Sequence, residues 1–306
     1  MPSEPQALFP TSAGNVAEAA ADLVACSSLE MGAERTADAR VIARALPVGT
    51  RVYVNHLPRL ALADSLAALR DLREAGLEPV PHLAARRIGS REEARAFLAR
   101  AVREAGVAKV LLIGGDDPQP RGPFADGLAV LRDGLLAEAG VREVALPGYP
   151  EGHPRVARAE LEHALALKLE HAASQGLGAY LVTQFSFAPG RIVQYCTELA
   201  RKLPSLPIYV GLAGPADPLA LLRYAQRCGV SASLRALSGQ GMSAVRVVTH
   251  SDPGEQAAAV AHYCASHRVC NVVGMHLFSF GGVARTAAWM RRVIEARRPG
   301  AEPAAK

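Results

Sequence analysis

One stretch, Lys109 to Pro120 (KVLLIGGDDPQP), limits what this chain can fold into more than any other. A run of Val, Leu and Ile with no polar alternation suits a strand covered on both faces, as in a parallel sheet flanked by helices. Gly114 and Gly115 at its carboxyl end let a backbone approach a ligand closely, and Asp116 stands where such sheets bind ligands. The bland alternative is a βα turn whose glycines relieve strain and whose Asp117 caps the next helix. How often the arrangement recurs decides between them.

It recurs along the whole chain. Further strands are expected at Val24 to Leu29, Arg51 to Val54, Glu78 to Pro81, Glu143 to Leu146, Ala179 to Val182, Pro207 to Val210 and Val269 to Met275. Helical patterns fall before and between them: Asn15 to Leu23, Ala37 to Leu46 with Thr36 as its cap, Ser65 to Ala75, Arg91 to Ala105, Phe124 to Ala139, Val156 to Ser174, Ile192 to Leu203, Pro218 to Cys228, Gln256 to Arg268 and Val283 to Ala296. Ser90 with Glu93 three residues on forms a capping box for the fourth of these. Ser231 to Glu255 is the least regular region.

Eight such alternations with short connections predict an α/β fold, a (β/α)8 TIM barrel with an extra N-terminal helix, as one domain over residues 1–306 with flexible termini at roughly 1–14 and 298–306. Glu30, Asn55, His82, Asp116, Tyr149, Gln184 and His276 all fall at the carboxyl ends of the expected strands, the face where these barrels keep their active sites. A doubly wound open sheet is the runner-up, but no GxGxxG links a strand to a helix.

With 306 residues, 50% of them hydrophobic, the chain can bury a large core. Its net charge of +5 comes from scattered arginines with few aromatics among them, which argues against a nucleic-acid surface and suits an anionic ligand. The five cysteines (Cys26, Cys196, Cys228, Cys264, Cys270) form no CxxC pair and read as reduced core residues, with Cys26 and Cys270 expected inside strands. No uncharged run is long enough to span a membrane, so no membrane partner and a cytoplasmic location are expected.

Three chemistries compete at the strand ends. A metal hydrolase would gather His56, His82, Asp116, His153 and His276, but no HxH or HxxxH pair occurs there, and no metal is expected. A Ser or Cys nucleophile lacks a GxSxG setting. The third is a cofactor enzyme in which the mouth binds a planar ligand and Glu30 donates a proton, its pKa raised by desolvation. The structural alternative for Glu30 is a salt bridge to a neighbouring arginine.

Ser28-Leu29-Glu30 with Arg35-Thr36, Pro81-His82-Leu83, Gly115-Asp116, Tyr149-Pro150-Glu151-Gly152-His153-Pro154, Thr183-Gln184-Phe185 and His276-Leu277-Phe278-Ser279 occur in an order that resembles the methylenetetrahydrofolate reductase family. The resemblance covers roughly residues 24–290, and the YPEGHP and TQF pieces are its most specific parts. It implies a barrel that binds FAD and passes a hydride from NADH or NADPH, by way of the flavin, to 5,10-methylenetetrahydrofolate.

Residue by residue, the resemblance implies catalytic roles for Glu30 as general acid, Asp116 beside flavin and pterin, and Gln184 on the pterin and nicotinamide. It implies cofactor contacts for Asn55, His82, Gly114, Gly115, Asp116, Phe124, Ala125, Tyr149 and His153, with Glu162 and Lys168 as a ribose or phosphate pair. Tyr224 and His276 join Glu30 and Gln184 around the folate. The departures are Gly114 where the family has arginine, Ala33 and Glu34 in place of two prolines, Asn55 for threonine, and Gly281 for asparagine. They leave the flavin affinity and the choice between NADH and NADPH open. A folate- or pterin-binding barrel without flavin, and a pterin-dependent methyltransferase partner, are the alternatives; self-association also stays open.

Overall fold

The computed structural model describes residues 16–216, 221, 230 and 252–296. Eight parallel strands close into a barrel in chain order: β1 Ser28–Gly32, β2 Arg51–Asn55, β3 Glu78–Ala84, β4 Lys109–Ile113, β5 Glu143–Gly148, β6 Gly178–Thr183, β7 Ile208–Ala213 and β8 Val272–Phe278. Closure between β1 and β8 excludes the open doubly wound sheet. Among the described residues the α-helices are α1 Val16–Ala25, α2 Asp38–Ala45, α3 Leu66–Glu74, α4 Arg91–Ala105, α5 Gly127–Asp133, α6 Leu135–Glu138, α7 Arg158–Ser174, α8 Pro189–Lys202, α9 Gly254–Ser266 and α10 Val283–Glu295. The extra helix, α1, packs against α9 and α10. Among the described residues no helix is long and apolar enough to cross a membrane.

Strand alternation sorts the side chains into two layers. Val52 and Val54, Val110 and Leu112, and Val144 and Leu146 face outward into the main core shared with the helices. Tyr53, Val80, Leu111, Ala145, Tyr180 and Val182 face inward and pack with one another in the barrel's interior. Each fully buried outward Leu contributes roughly 1.5–3 kcal/mol. The interior is more polar than its neighbours: Tyr53 and Tyr180 share a hydroxyl hydrogen bond of 2.8 Å. At the amino-terminal end, Arg51 donates to the Cys26 carbonyl at 2.7 Å and lies 4.2 Å over the Tyr209 ring, while Lys109 pairs with Glu78 and Glu143.

Several expected boundaries move, for identifiable reasons. Val24 belongs to α1, and β1 starts at Ser28, so Glu30 sits in the middle of β1 with its side chain inward, not at the strand's end. Cys26 is an exposed turn residue and Cys270 precedes β8; neither lies inside a strand. Thr36 does not cap α2, whose N-cap is Ala37 with no side-chain bond. The helix expected over Phe124 to Ala139 is two helices, because Gly134 takes a left-handed φ of +83° and breaks the ladder. Asp117 does not cap the helix that follows; Asp126 does, accepting from the Ala129 N–H at 2.9 Å. The capping pair at α4 forms, with Ser90 Oγ accepting from Glu93 N–H at 3.0 Å and the Glu93 carboxylate reaching Gly89 N–H. The helix expected over Pro218 to Cys228, Tyr224, most of the Ser231 to Glu255 stretch, and both termini expected to be flexible lie outside the described residues.

Candidate functional site

Glu30 is the centre of the inner site. Inward alternation on β1 puts Ser28 and Glu30 on one face, and the register sets Ser28 beside His276 of β8 and Glu30 beside Tyr53 of β2. The Glu30 carboxylate, 8% exposed, therefore meets three polar neighbours brought by three strands. His276 Nε2 donates to Glu30 Oε1 at 3.2 Å, His82 Nε2 stands 3.5 Å from the same oxygen, and the Asn55 side chain adds a hydrogen bond to the carboxylate. Behind His276, Nδ1 lies 2.8 Å from Ser28 Oγ, so with Nε2 as donor the serine hydroxyl donates to Nδ1. Ser279 Oγ donates to the Glu30 main-chain carbonyl at 2.8 Å. Tyr53 packs edge-on against His276 at 4.5 Å between ring centroids.

Burial pushes the Glu30 carboxyl up, as expected from the sequence. The hydrogen bond from His276, the electrostatic attraction of the His82 and His276 rings, and the bond from Asn55 outweigh it, and the carboxyl is held below its ordinary value. This corrects the expectation of a raised pKa: the free protein holds Glu30 as a carboxylate. The salt-bridge alternative is corrected too, since these partners are histidines and an amide. Burial brings His82 down to about 4 against the attraction of Glu30, so His82 is neutral at neutral pH. Ser28, His276 and Glu30 form a chain that looks like a hydrolytic triad, but Ser28 is fully buried and no acyl group could reach it.

The outer rim belongs to β4, β5 and β6. Gly115 has a φ of +91°, a left-handed backbone that favours glycine at this turn. Asp116, three residues past β4, is exposed and faces Arg155 at 3.7 Å. Tyr149 and His153 stand edge to face at 5.2 Å. Burial, with the charge of Asp116, raises Tyr149 to about 12; burial, with the charge of Arg155, lowers His153. Gln184 is half-buried, with its main-chain N–H on Gly148 carbonyl at 2.7 Å and its side-chain oxygen accepting from Phe185 N–H at 3.3 Å. Phe185, Phe187, Phe278 and Phe280 form an aromatic wall with Leu221 and Val230.

The loop after β4 is held from β3. Arg86 donates to the carbonyls of Asp117, Pro118 and Ala125, and Arg87 pairs with Asp117 at 2.6 Å, which fixes Phe124 and Ala125. Both arginines are thereby occupied. Lys168 is half-buried on α7, lowered by burial against the attraction of Asp126. Glu162 is exposed and already paired with Arg158 at 3.1 Å and Lys202 at 2.8 Å. Six helical positions apart, Glu162 and Lys168 project about 120° from each other, so the structure does not bring that pair together.

The structure thus gathers Glu30, Asn55, His82 and His276 in one set and Asp116, Tyr149 and His153 in another, and leaves Glu162 outside. His56 is buried with Nδ1 accepting from Ala84 N–H at 3.4 Å, close enough to His82 to disfavour its protonation. Among the described residues no group of three or more His, Cys, Asp or Glu has the geometry to hold a metal ion. Ser28 and Arg155 are the functional candidates that sequence reasoning missed. Ser28 is detectable in the sequence as the i−2 neighbour of Glu30 on one strand face; Arg155 has no sequence signal.

The residues present fit a flavin dinucleotide in two respects. Asn55 Oδ1 and His82 Nε2 are buried polar atoms without a hydrogen-bond partner in the protein, which a polar heterocycle could satisfy. Gly114, with open space where a Cβ would stand, and Gly115 leave room for a close backbone approach. The chain matches no family model. Among solved structures, it is similar to "Yersinia pestis DHPS with pterine-sulfa conjugate Compound 16", with 13% identity over 90% of this chain and 95% of that chain and a TM-score of 0.45. At that distance the likeness concerns the barrel alone.

Proposed function

We propose that this chain is a flavin-dependent reductase that converts 5,10-methylenetetrahydrofolate to 5-methyltetrahydrofolate at the expense of NADH or NADPH. The observation that carries the reading is the buried Glu30 carboxylate at the inner end of the mouth, hydrogen-bonded by His276, at the position where the resemblance requires a proton donor. The ordered YPEGHP and TQF segments at the ends of β5 and β6 support it.

Gly114, Gly115, Phe124, Ala125, Tyr149 and His153 would hold FAD, with Lys168 toward its phosphates; bound FAD supplies the hydride relay between nicotinamide and folate. The chain's own residues supply the proton and its timing. Burial and the hydrogen bonds on Glu30 act in opposite directions on its carboxyl. A ligand that excludes the remaining water and takes over the Asn55 bond tips this balance upward, so Glu30 takes up a proton as the folate binds. That proton then goes to the ring nitrogen that leaves as the imidazolidine opens. His276, held in one tautomer by Ser28, keeps the carboxyl aimed throughout. Gln184 orients the pterin from β6, and the aromatic wall of Phe185, Phe187 and Phe278 keeps water out.

A second reading, a folate-binding barrel without flavin, is favoured by Gly114 in place of arginine and by the prior occupation of Arg86 and Arg87. An anaerobic titration separates the two. With FAD added, NADH should bleach the flavin band and methylenetetrahydrofolate should restore it. A protein that never binds FAD, or that is reduced and not reoxidised by folate, overturns the reductase reading.

A further inference from the structure

Three of the described cysteines gather on the outside of the barrel, away from the mouth. Cys196 lies on α8, Cys264 in the last turn of α9, and Cys270 four residues beyond that helix, two residues before β8. The Sγ atoms of Cys264 and Cys270 are 2.7 Å apart, against a disulfide bond length of about 2.05 Å. Both ends of the segment between them are anchored. His267 N–H donates to the Tyr263 carbonyl at 3.1 Å, closing α9. Asn271, next to Cys270, donates from Nδ2 to the carbonyls of Leu203 and Leu206 at 3.1 and 2.8 Å. The backbone is therefore anchored on both sides of the point where the two sulfurs meet.

We propose that Cys264 and Cys270 are a reversible dithiol–disulfide pair that reacts with hydroperoxides. The half-buried Cys270 thiolate attacks the terminal oxygen of the peroxide, the O–O bond breaks, a sulfenic acid forms, and the other oxygen leaves as alkoxide or, from hydrogen peroxide, as hydroxide. The Cys264 thiol then attacks that sulfur, the S–S bond forms and water leaves. Two electrons pass from the two sulfurs to the peroxide, and a dithiol reductant returns them. The local chemistry divides these roles. The contact with Cys264 and the Val272 N–H lower the Cys270 thiol against burial, while the same contact and burial raise Cys264. Cys196 is buried and pushed up to about 12 by burial, which makes it unreactive although it lies nearby. Cys26 is exposed and has no such neighbour among the described cysteines.

The test uses the full chain, reduced, desalted and exposed to hydrogen peroxide, then alkylated and digested with trypsin without reduction. Cleavage after Arg246, Arg268 and Arg285 puts Cys264 and Cys270 in separate peptides, each with a single cysteine. The expected result is joint loss of both free-thiol peptides, gain of a linked pair two hydrogens lighter than their sum, and recovery of both with dithiothreitol. Cys264→Ser should leave Cys270 as a sulfenic acid that dimedone captures, and Cys196→Ser should change nothing. The proposal is overturned if both thiols stay alkylatable while Cys26 in the same sample oxidises, or if the bridge that forms joins Cys196 or Cys26. Because the wild-type protein alone decides this, poor folding of either variant does not blur the answer.

Discussion

Acidification should unfold this barrel through one side chain in particular. His82 is 8% exposed, and its pKa drops on folding from 6.5 to about 4. A base whose folded value is depressed takes up its proton first in the unfolded chain, so its stabilising contribution is complete above pH 6.5 and is lost as the pH falls toward 4. The linkage amounts to about 2 kcal/mol at pH 5 and about 3 kcal/mol at pH 4. At pH 5 the loss is still ahead of the window in which Glu30, itself held below the ordinary carboxyl value, begins to contribute in the same direction. His82→Gln keeps polarity and approximate size while removing the titration. Urea unfolding at pH 7 and pH 5 should show the wild type losing about 2 kcal/mol more than the variant. With an m-value of roughly 3 kcal/mol/M, the wild-type midpoint should fall about 0.7 M further. Equal pH dependence in the two proteins would mean instead that His82 titrates in the folded state near its ordinary value.

Ser28→Ala should cost about 1–3 kcal/mol, since it leaves a buried His276 nitrogen unpaired, and thermal melting would show it. An unchanged midpoint would mean that Ser28 does not hold the tautomer. Gly115→Ala should cost about 1–2 kcal/mol from the left-handed backbone alone and should weaken FAD binding in an absorbance titration. Ser90→Ala should cost about 1 kcal/mol by removing the cap of α4, with no effect on ligand binding, which makes it a control for general destabilisation.

The barrel was readable because each strand is buried on its outer face by helices and presents an apolar run. The ends of the strands were not, because the inward layer is polar near the mouth. His82, Gly148, Thr183 and Phe278 all lie inside strands whose apolar runs stop short of them. Gly134 breaks a helix whose hydrophobic spacing continues straight through it. The candidate site was readable as a set of residue types at strand ends, but not as a set of pairs. Glu30 and His276 are 246 residues apart, and only barrel closure between β1 and β8 makes them partners. The sign of the Glu30 shift depends on those partners, so desolvation judged from the sequence alone pointed the wrong way. Of the two ion pairs of Glu162, the one with Arg158 is an i,i+4 pair within α7 that the spacing offers, and the one with Lys202 depends on how α7 lies beside α8, which no motif records.

In the proposed reaction Glu30 gives its proton to the folate and takes no part in reducing the flavin. Following the two half-reactions of Glu30→Gln separately under anaerobic single-turnover conditions isolates that role. Flavin reduction by NADH should proceed at about the wild-type rate, while reoxidation by methylenetetrahydrofolate should slow on the order of a hundred- to ten-thousand-fold. Reoxidation at the wild-type rate, or an equal loss in both half-reactions, would contradict that role.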